Sequence, residues 1–439
     1  MEIEIILIIF TAFLTVLLLG HPLAFTLGGL AIIFGITLWG NSSVLNLFVR
    51  TIANLGTSII YVAIPLFIFM GAVLERSGAA EDLFESMYIV LGKLKGGLAI
   101  TTVVICTLLA ASTGIIGASI TVMGMLAMPT MLKHKYDKKL AAGTIMSSGC
   151  LGTLIPPSII LIIYGGQAQL SIAKLFAGGI GAGLLLAAIY IAYIAIRCII
   201  NPELGPTISE EEANKYSFQE KMSMALKSIL PTLGLIIAVL GSILLGLATP
   251  TEAAAIGVVG AFIIAIAHRR FSWTMIKESC FATMKTTAMI MWIILGASMF
   301  TSVFLGLGGG KAVSQLVLGL DMGPWFILSI ILLIILIMGM FIDSYGVLLI
   351  GVPIFTPIVY ALGFDPVWFG IMFAIMIQAS YISPPFAYAV FYLRGVTPPD
   401  KVSTAELYRA TLPFLVLQII ALIILSVFPQ IITWLPSLI

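Results

Sequence analysis

Residues 149–158 read Gly-Cys-Leu-Gly-Thr-Leu-Ile-Pro-Pro-Ser, and residues 378–386 read Gln-Ala-Ser-Tyr-Ile-Ser-Pro-Pro-Phe. Two adjacent prolines remove two backbone donors and clash with the turn before them, so each stretch must interrupt a helix. The released carbonyls, with the hydroxyl and amide oxygens around them, are the ligand type that replaces the water shell of a hard cation such as sodium. For either stretch alone a packing kink explains the break about equally well, because proline is commoner in membrane helices than in soluble ones. Asp343 is a different kind of group. It lies in Gly339-Met-Phe-Ile-Asp-Ser-Tyr-Gly346, midway along an apolar segment, where a carboxylate costs several kcal/mol unless paired or hydrated. It reads as a functional acid, as a helix cap, or as both.

The elements that position these groups belong to a membrane protein. Of 439 residues 61% are hydrophobic and 9% charged, with a mean hydropathy of +1.18. No soluble domain keeps such a surface in water. Roughly eleven or twelve apolar stretches approach the ~20 residues that span a bilayer. Residues 1–20 lack a basic leader and a cleavage signature, so the first stretch reads as an uncleaved helix. Cys106, Cys150, Cys198 and Cys280 lie in or beside apolar runs at irregular spacing, which points to packing rather than to disulfides or zinc. His21, His134 and His268 fall at predicted helix ends, and Glu252 follows Pro250 where an acid complements a helix start. No Walker-type phosphate loop occurs, which argues against an ATPase in this chain. A formal net charge of +2 gives no basis for nucleic-acid binding. The lipid bilayer is the partner that composition implies.

A shift of 228 residues places Pro22 on Pro250, Pro129 on Pro357, Pro156 on Pro384 and Pro157 on Pro385, with Asp137 on Asp365 and Tyr164 on Tyr392. Chance would supply roughly 0.3 such proline matches. The chain therefore reads as a duplication, with a first repeat at 1–200, a cytoplasmic connector at 201–228 and a second repeat at 229–439. Segments 97–132 and 325–360 are too long for one crossing. Arg76, Lys93 and Lys95 precede the first, and Lys133, Lys135, Lys138 and Lys139 follow it, so both its ends face the cytoplasm and it turns back inside the membrane. Each repeat then holds five crossings, one of them a broken helix near 140–167 or 366–392, plus one re-entrant hairpin. An odd number of crossings inverts the second repeat. Only Arg50, Lys174 and Lys311 of 21 lysines and arginines fall outside, and both termini are expected in the periplasm. The expected fold class is an all-α polytopic inverted repeat, the architecture in which secondary transporters hold substrate and ion near the midplane.

With these features the chain resembles the large membrane subunit of tripartite ATP-independent periplasmic (TRAP) transporters, within the ion-transporter superfamily of elevator-type carriers. The resemblance is carried by 149–158 with Tyr164-Gly165, by Pro353-Ile-Phe-Thr-Pro357, and by Gly363-Phe-Asp-Pro-Val-Trp-Phe-Gly370 running on to Ser383-Pro384-Pro385. It covers essentially the whole chain. It implies sodium-driven uptake of a small organic anion across a bacterial or archaeal inner membrane, with no organic cofactor and no enzymatic step. The implied partners are a small four-helix membrane subunit and a periplasmic substrate-binding protein. It further implies that hairpins and broken helices form a moving transport domain, while spans near 3–40 and 229–267 form the scaffold.

The same resemblance implies sodium sites at two places. One joins Ser112, Thr113 and Gly114 with Gly149, Gly152, Thr153, Ile155 and Pro156. The other joins Asp343 and Ser344 with Gln378, Ser380, Ser383 and Pro384. Ser112, Thr113, Ser158, Asp343 and Ser383 are its substrate candidates. Ala387 stands where the family's glycine usually follows Pro-Pro-Phe. Two further readings stay open at this point: a passive channel, and an intramembrane enzyme using Asp343, although no second acid, lysine or histidine is predicted beside it.

Overall fold

Why each apolar segment bends or breaks where it does is visible in its caps and prolines. The computed structural model describes residues 2–113, 116–208, 216–319 and 322–439, and every regular element among them is helical. The first repeat runs Glu2–Leu18, Leu23–Trp39, Ile59–Glu75, a hairpin of Gly97–Thr113 and Ile116–Lys133, a broken helix of Lys138–Gly149 and Ile159–Ala168, and Ile172–Ile200. The second repeats that order with Phe218–Leu244, Pro250–Ala267, Trp273–Gly306, a hairpin of Pro324–Phe341 and Ser344–Ala361, a broken helix of Pro366–Ile382 and Tyr388–Val396, and Thr404–Val427. Glu252 closes a capping box, its Oε2 accepting from the Thr249 N–H at 2.8 Å while its own N–H donates to Thr249 Oγ1 at 3.3 Å.

Eight of the described helices are long and apolar enough to cross a membrane, or nine if the bent pair 44–57 and 59–75 counts as one. The eleven or twelve stretches read from sequence also include Leu23–Trp39 and Pro366–Ile382, apolar helices of 17 residues that fall just short of that length. Besides the four-residue helix Gln430–Thr433, three helices fall outside the expected spans: Asn41–Thr57, Ala79–Leu91 and Gly309–Leu318. The last two each follow a glycine in the left-handed region, Gly78 at φ +82° and Gly308 at φ +86°, which turns the chain sharply out of the preceding span. Cys106, Cys150 and Cys198 are buried, whereas Cys280 is exposed on its long helix, so core packing does not account for it.

The repeats interlock rather than sit side by side. Leu23–Trp39 packs on Trp273–Gly306, and its counterpart Pro250–Ala267 packs on Ile59–Glu75. The second arm of each hairpin lies on the far half-helix of the other repeat, 116–133 on 388–396 and 344–361 on 159–168. Tyr190 and Gln418 are 228 positions apart, and the Gln418 Nε2 donates to the Tyr190 hydroxyl at 2.9 Å. Equivalent residues of two related halves touch only at the axis that relates them. Both side chains are fully buried there.

Small residues make the crossings close. Gly28 and Gly296 meet where 23–39 crosses 273–306, and a Cβ on Gly296 would overlap the Ala24 carbonyl oxygen. Gly29, one position along, faces open space. Gly296→Ala must spread two backbones, an overpacking cost of about 1–3 kcal/mol. A melting temperature lower by roughly 1–3 °C is expected for the purified protein, with Gly29→Ala unchanged; equal melting temperatures for the two variants would count against this crossing.

Candidate functional site

Asp137 and Asp365 start the two broken helices in the same way. The Oδ1 of each accepts from the backbone N–H three residues on, Leu140 and Trp368, at 2.8 Å in both cases. Each helix then meets its Pro-Pro pair, and both pairs are cis. Prolines at 156 and 157 cannot donate to the carbonyls of Gly152 and Thr153, and prolines at 384 and 385 cannot donate to those of Ser380 and Tyr381. One carbonyl of each pair is recaptured. The Ser158 hydroxyl donates to the Thr153 carbonyl at 2.5 Å, and the Ser383 N–H donates to the Ser380 carbonyl at 3.2 Å. Gly152 and Tyr381 are left with carbonyls that lack a helical donor.

The two breaks touch. Thr153 Oγ1 lies 3.0 Å from the Cys150 carbonyl and 3.1 Å from Gln378 Oε1, donating between them and joining one repeat to the other. Thr153, Ser158, Gln378, Ser380 and Ser383 are each 1% exposed or less. Each break is also pressed by its own hairpin: a Cβ on Gly149 would overlap Ile120, and one on Gly339 would overlap Ser380. These glycines are what let hairpin and break approach.

The tip of the second hairpin is built around Asp343. Its Oδ2 accepts from the Tyr345 N–H at 3.1 Å and so caps helix 344–361, while the Tyr381 hydroxyl donates to Ser344 Oγ at 2.8 Å and pins the tip to the break. The start of helix 116–133 meets the opposite repeat. A Cβ on Gly117 would come 2.8 Å from the Tyr392 ring, so only glycine admits that ring.

A cavity of about 340 Å³ lies where the four pieces converge. The first hairpin gives it Ile116, Gly117, Ala118 and Thr121, and the second gives Asp343, Ser344 and Tyr345. Thr153 and Ile160 come from the first break, and Tyr381 and Tyr392 from the second. Thr286, Met289 and Glu75 close it. Of the residues singled out in the sequence, Thr153, Asp343 and Ser344 line this space. Gly149, Gly152, Ile155, Pro156, Gln378, Ser380, Ser383 and Pro384 form the surrounding breaks. The Ser158 and Ser383 hydroxyls turn away from it, onto the carbonyls of Thr153 and Ala379. Gly114 and the side chains of Ser112 and Thr113 lie outside the described residues.

Sequence reading misses Glu75 and the three tyrosines. A second acid does stand in the cavity with Asp343, contrary to the expectation from sequence. Glu75 ends an apolar span beside Arg76, where an acid looks interfacial. Tyr392 was visible as the repeat partner of Tyr164, without a role.

Residues 10–431 match the family model described as "Tripartite ATP-independent periplasmic transporter, DctM component". The chain is 31% identical to the C4-dicarboxylate TRAP transporter large permease protein DctM of Vibrio cholerae, covering 98% of this chain and 97% of that protein. It is 32% identical to the ectoine/5-hydroxyectoine TRAP transporter large permease protein UehC of Ruegeria pomeroyi, over 98% of each. Its fold is similar to the crystal structure of the Alcanivorax borkumensis YdaH transporter, with a TM-score of 0.60, 16% identity, and coverage of 95% and 98% of the two chains.

After the second Pro-Pro pair the backbone turns through Ala387, fully buried at φ +48°. This left-handed conformation costs a residue with a Cβ roughly 1–2 kcal/mol, and a β-branched one more. Ala387→Gly is expected to hold the wild-type melting temperature within about 1 °C and Ala387→Val to lower it by roughly 2 °C or more. A tolerated valine would show that this turn is not as drawn.

Proposed function

The chain belongs to the family of DctM components of tripartite ATP-independent periplasmic transporters, and from that premise we propose that it is the membrane permease of a sodium-coupled importer. The cargo is a small organic acid, delivered by a periplasmic binding protein, and the cycle is of the elevator type. A small four-helix membrane subunit completes the assembly in the inner membrane, with both termini of this chain on the periplasmic side.

The observation that carries this reading is the convergence of two hairpins and two helix breaks on one cavity containing Asp343. Sodium suits the donors there. The free carbonyls of Gly152 and Tyr381, with the carboxylate of Asp343 and the hydroxyl of Ser344, are hard oxygens at bare backbone. On this reading Gly149, Gly152, Thr153, Ile155 and Pro156 hold one ion together with Ser112, Thr113 and Gly114. Asp343, Ser344, Gln378, Ser380, Ser383 and Pro384 hold the other. Asp343 sits between ion and cargo, whereas Ser158 and Ser383 serve by fixing the breaks.

An elevator cycle is supported by the exchanged packing of hairpins and half-helices, which favours their moving as one body. Helices 2–39 and 218–267 are then the scaffold. The relatives' names give C4-dicarboxylate and ectoine as cargo, so small acids and zwitterions are both within the class.

Reconstitution with the small subunit and the binding protein tests the proposal, using the solute that raises the binding protein's melting temperature. Uptake should follow an inward sodium gradient and cease when potassium replaces sodium. Asp343→Asn should cut uptake at least tenfold while the melting temperature stays within a few degrees. Uptake indifferent to the sodium gradient would sink the coupling.

A further inference from the structure

Away from the central cavity, a smaller recess of about 110 Å³ opens where the start of the first broken helix meets helices 172–200 and 404–427. Lys139, Arg197 and Arg409 converge on it from three separate helices, against one acid, Asp137. Tyr193 lines it too, its ring set edge-on against Phe414 at 5.5 Å. The floor is fixed. The Asp137 N–H donates to the Leu204 carbonyl at 3.0 Å and ties the connector to the broken helix.

The three cations are not spent on carboxylates. Ion pairs among the described residues join Arg76 to Glu75 and Glu278, and His268 to Asp82, and none involves Lys139, Arg197 or Arg409. Asp137 is committed as a helix cap, its Oδ1 accepting from the Leu140 N–H at 2.8 Å. Glu406, the other acid near Lys138 and Lys139, is committed in the same way: its Oε2 accepts from the Ser403 N–H at 2.7 Å and from the Ser403 hydroxyl at 2.9 Å. Lys139 is moreover the second residue of its helix, at the end whose partial positive charge disfavours a cation. A general excess of basic residues on one membrane face explains why they are on this side. It does not explain why three helices aim theirs at one recess.

Beyond the recess the surface turns apolar. Leu412, Val416 and Ile420 follow Arg409 at helical spacing along one side of the apolar span 404–427, and all three are exposed. Ile196, next to Arg197, is exposed as well. A basic recess at the head of an exposed apolar stripe matches a molecule with an anionic head and a hydrocarbon tail, and basic pockets between membrane helices are where anionic lipid headgroups bind.

We propose that this recess binds the phosphate headgroup of an anionic phospholipid. Lys139, Arg197 and Arg409 meet the phosphate oxygens, and an acyl chain lies along Leu412, Val416 and Ile420. The lipid thereby bridges the start of the first broken helix to the two helices beside it. The site is separate from the cavity between the hairpins, so it stands whatever ion or cargo the protein carries.

Titration of the purified full chain in neutral detergent at low salt, read as the rise in melting temperature, tests this with phosphatidylglycerol, phosphatidylcholine and glycerol 1-phosphate. Phosphatidylglycerol should raise the melting temperature where phosphatidylcholine at equal concentration does not. Glycerol 1-phosphate, which has the phosphate but no tails, should need at least tenfold higher concentration for the same rise. Arg197→Gln and Arg409→Gln should each weaken the phosphatidylglycerol response about fivefold, the size expected of one basic residue at a charged membrane surface. Arg269→Gln removes an exposed charge outside the recess and should change the response less than twofold. Lys139→Gln, at an exposed position, repeats the measurement if either recess arginine variant fails to fold. Three results would each overturn the assignment: an equal rise with phosphatidylcholine, an equal affinity for glycerol 1-phosphate, or a loss in Arg269→Gln as large as in the recess variants. The first would mean unselective lipid contact, the second a site for a soluble anion, and the third a diffuse surface charge.

Discussion

A backbone carbonyl without a donor costs several kcal/mol where no water can reach it, and two Pro-Pro pairs deprive the carbonyls of Gly152, Thr153, Ser380 and Tyr381 of theirs. The surroundings of the site answer that cost. Ser158 returns a hydroxyl to Thr153, and the Ser383 N–H returns to Ser380. What remains uncompensated, at Gly152 and Tyr381, is kept in protein by the hairpins that press on each break. A break of this kind is stable only inside such a cover, so hairpin and broken helix make one structural unit.

The cover is supplied partly from the other repeat. Each hairpin's second arm lies on the opposite repeat's far half-helix, Tyr392 fits against Gly117, and Tyr164 reaches within 3.5 Å of Thr356. Neither half could keep this site if the other moved independently. Exchange of this kind concentrates rigidity around the cavity, while the glycine crossing of 23–39 on 273–306 knits the periphery.

Much of this was legible because backbone constraints leave durable marks in sequence. Pro-Pro pairs, aspartate caps at 137 and 365, and segments too long for one crossing each state a local geometry, and a 228-residue shift repeats them. Asp343 was legible for the same reason, since a carboxylate in an apolar run needs an explanation. Glu75 was not, because its position at a helix end beside Arg76 has an ordinary surface explanation, and only the approach of 273–306 and the hairpins makes it a wall of the cavity. Helices 41–57, 79–91 and 309–318 were missed because their polar content hides them from a search for spans. The tyrosines were hidden for the opposite reason: an aromatic in a membrane helix is usually packing.

Comparing equivalent positions separates what the fold needs from what the site needs. Positions that shape the backbone of the breaks are the same in both halves: Asp137 and Asp365, and Pro156 with Pro157 and Pro384 with Pro385. Most positions facing the cavity differ, Tyr392 with its equivalent Tyr164 being an exception. Asp343 is equivalent to Ile115, Tyr345 to Gly117, and Tyr381 to Thr153. A cavity lying between equivalent residues would be lined symmetrically if the duplication alone dictated it. A small solute has no two-fold symmetry, so walls that hold it in one orientation must abandon the symmetry that built them. Asp343 and the rings of Tyr345 and Tyr381 are distributed unequally for that reason, within a frame whose backbone remains paired.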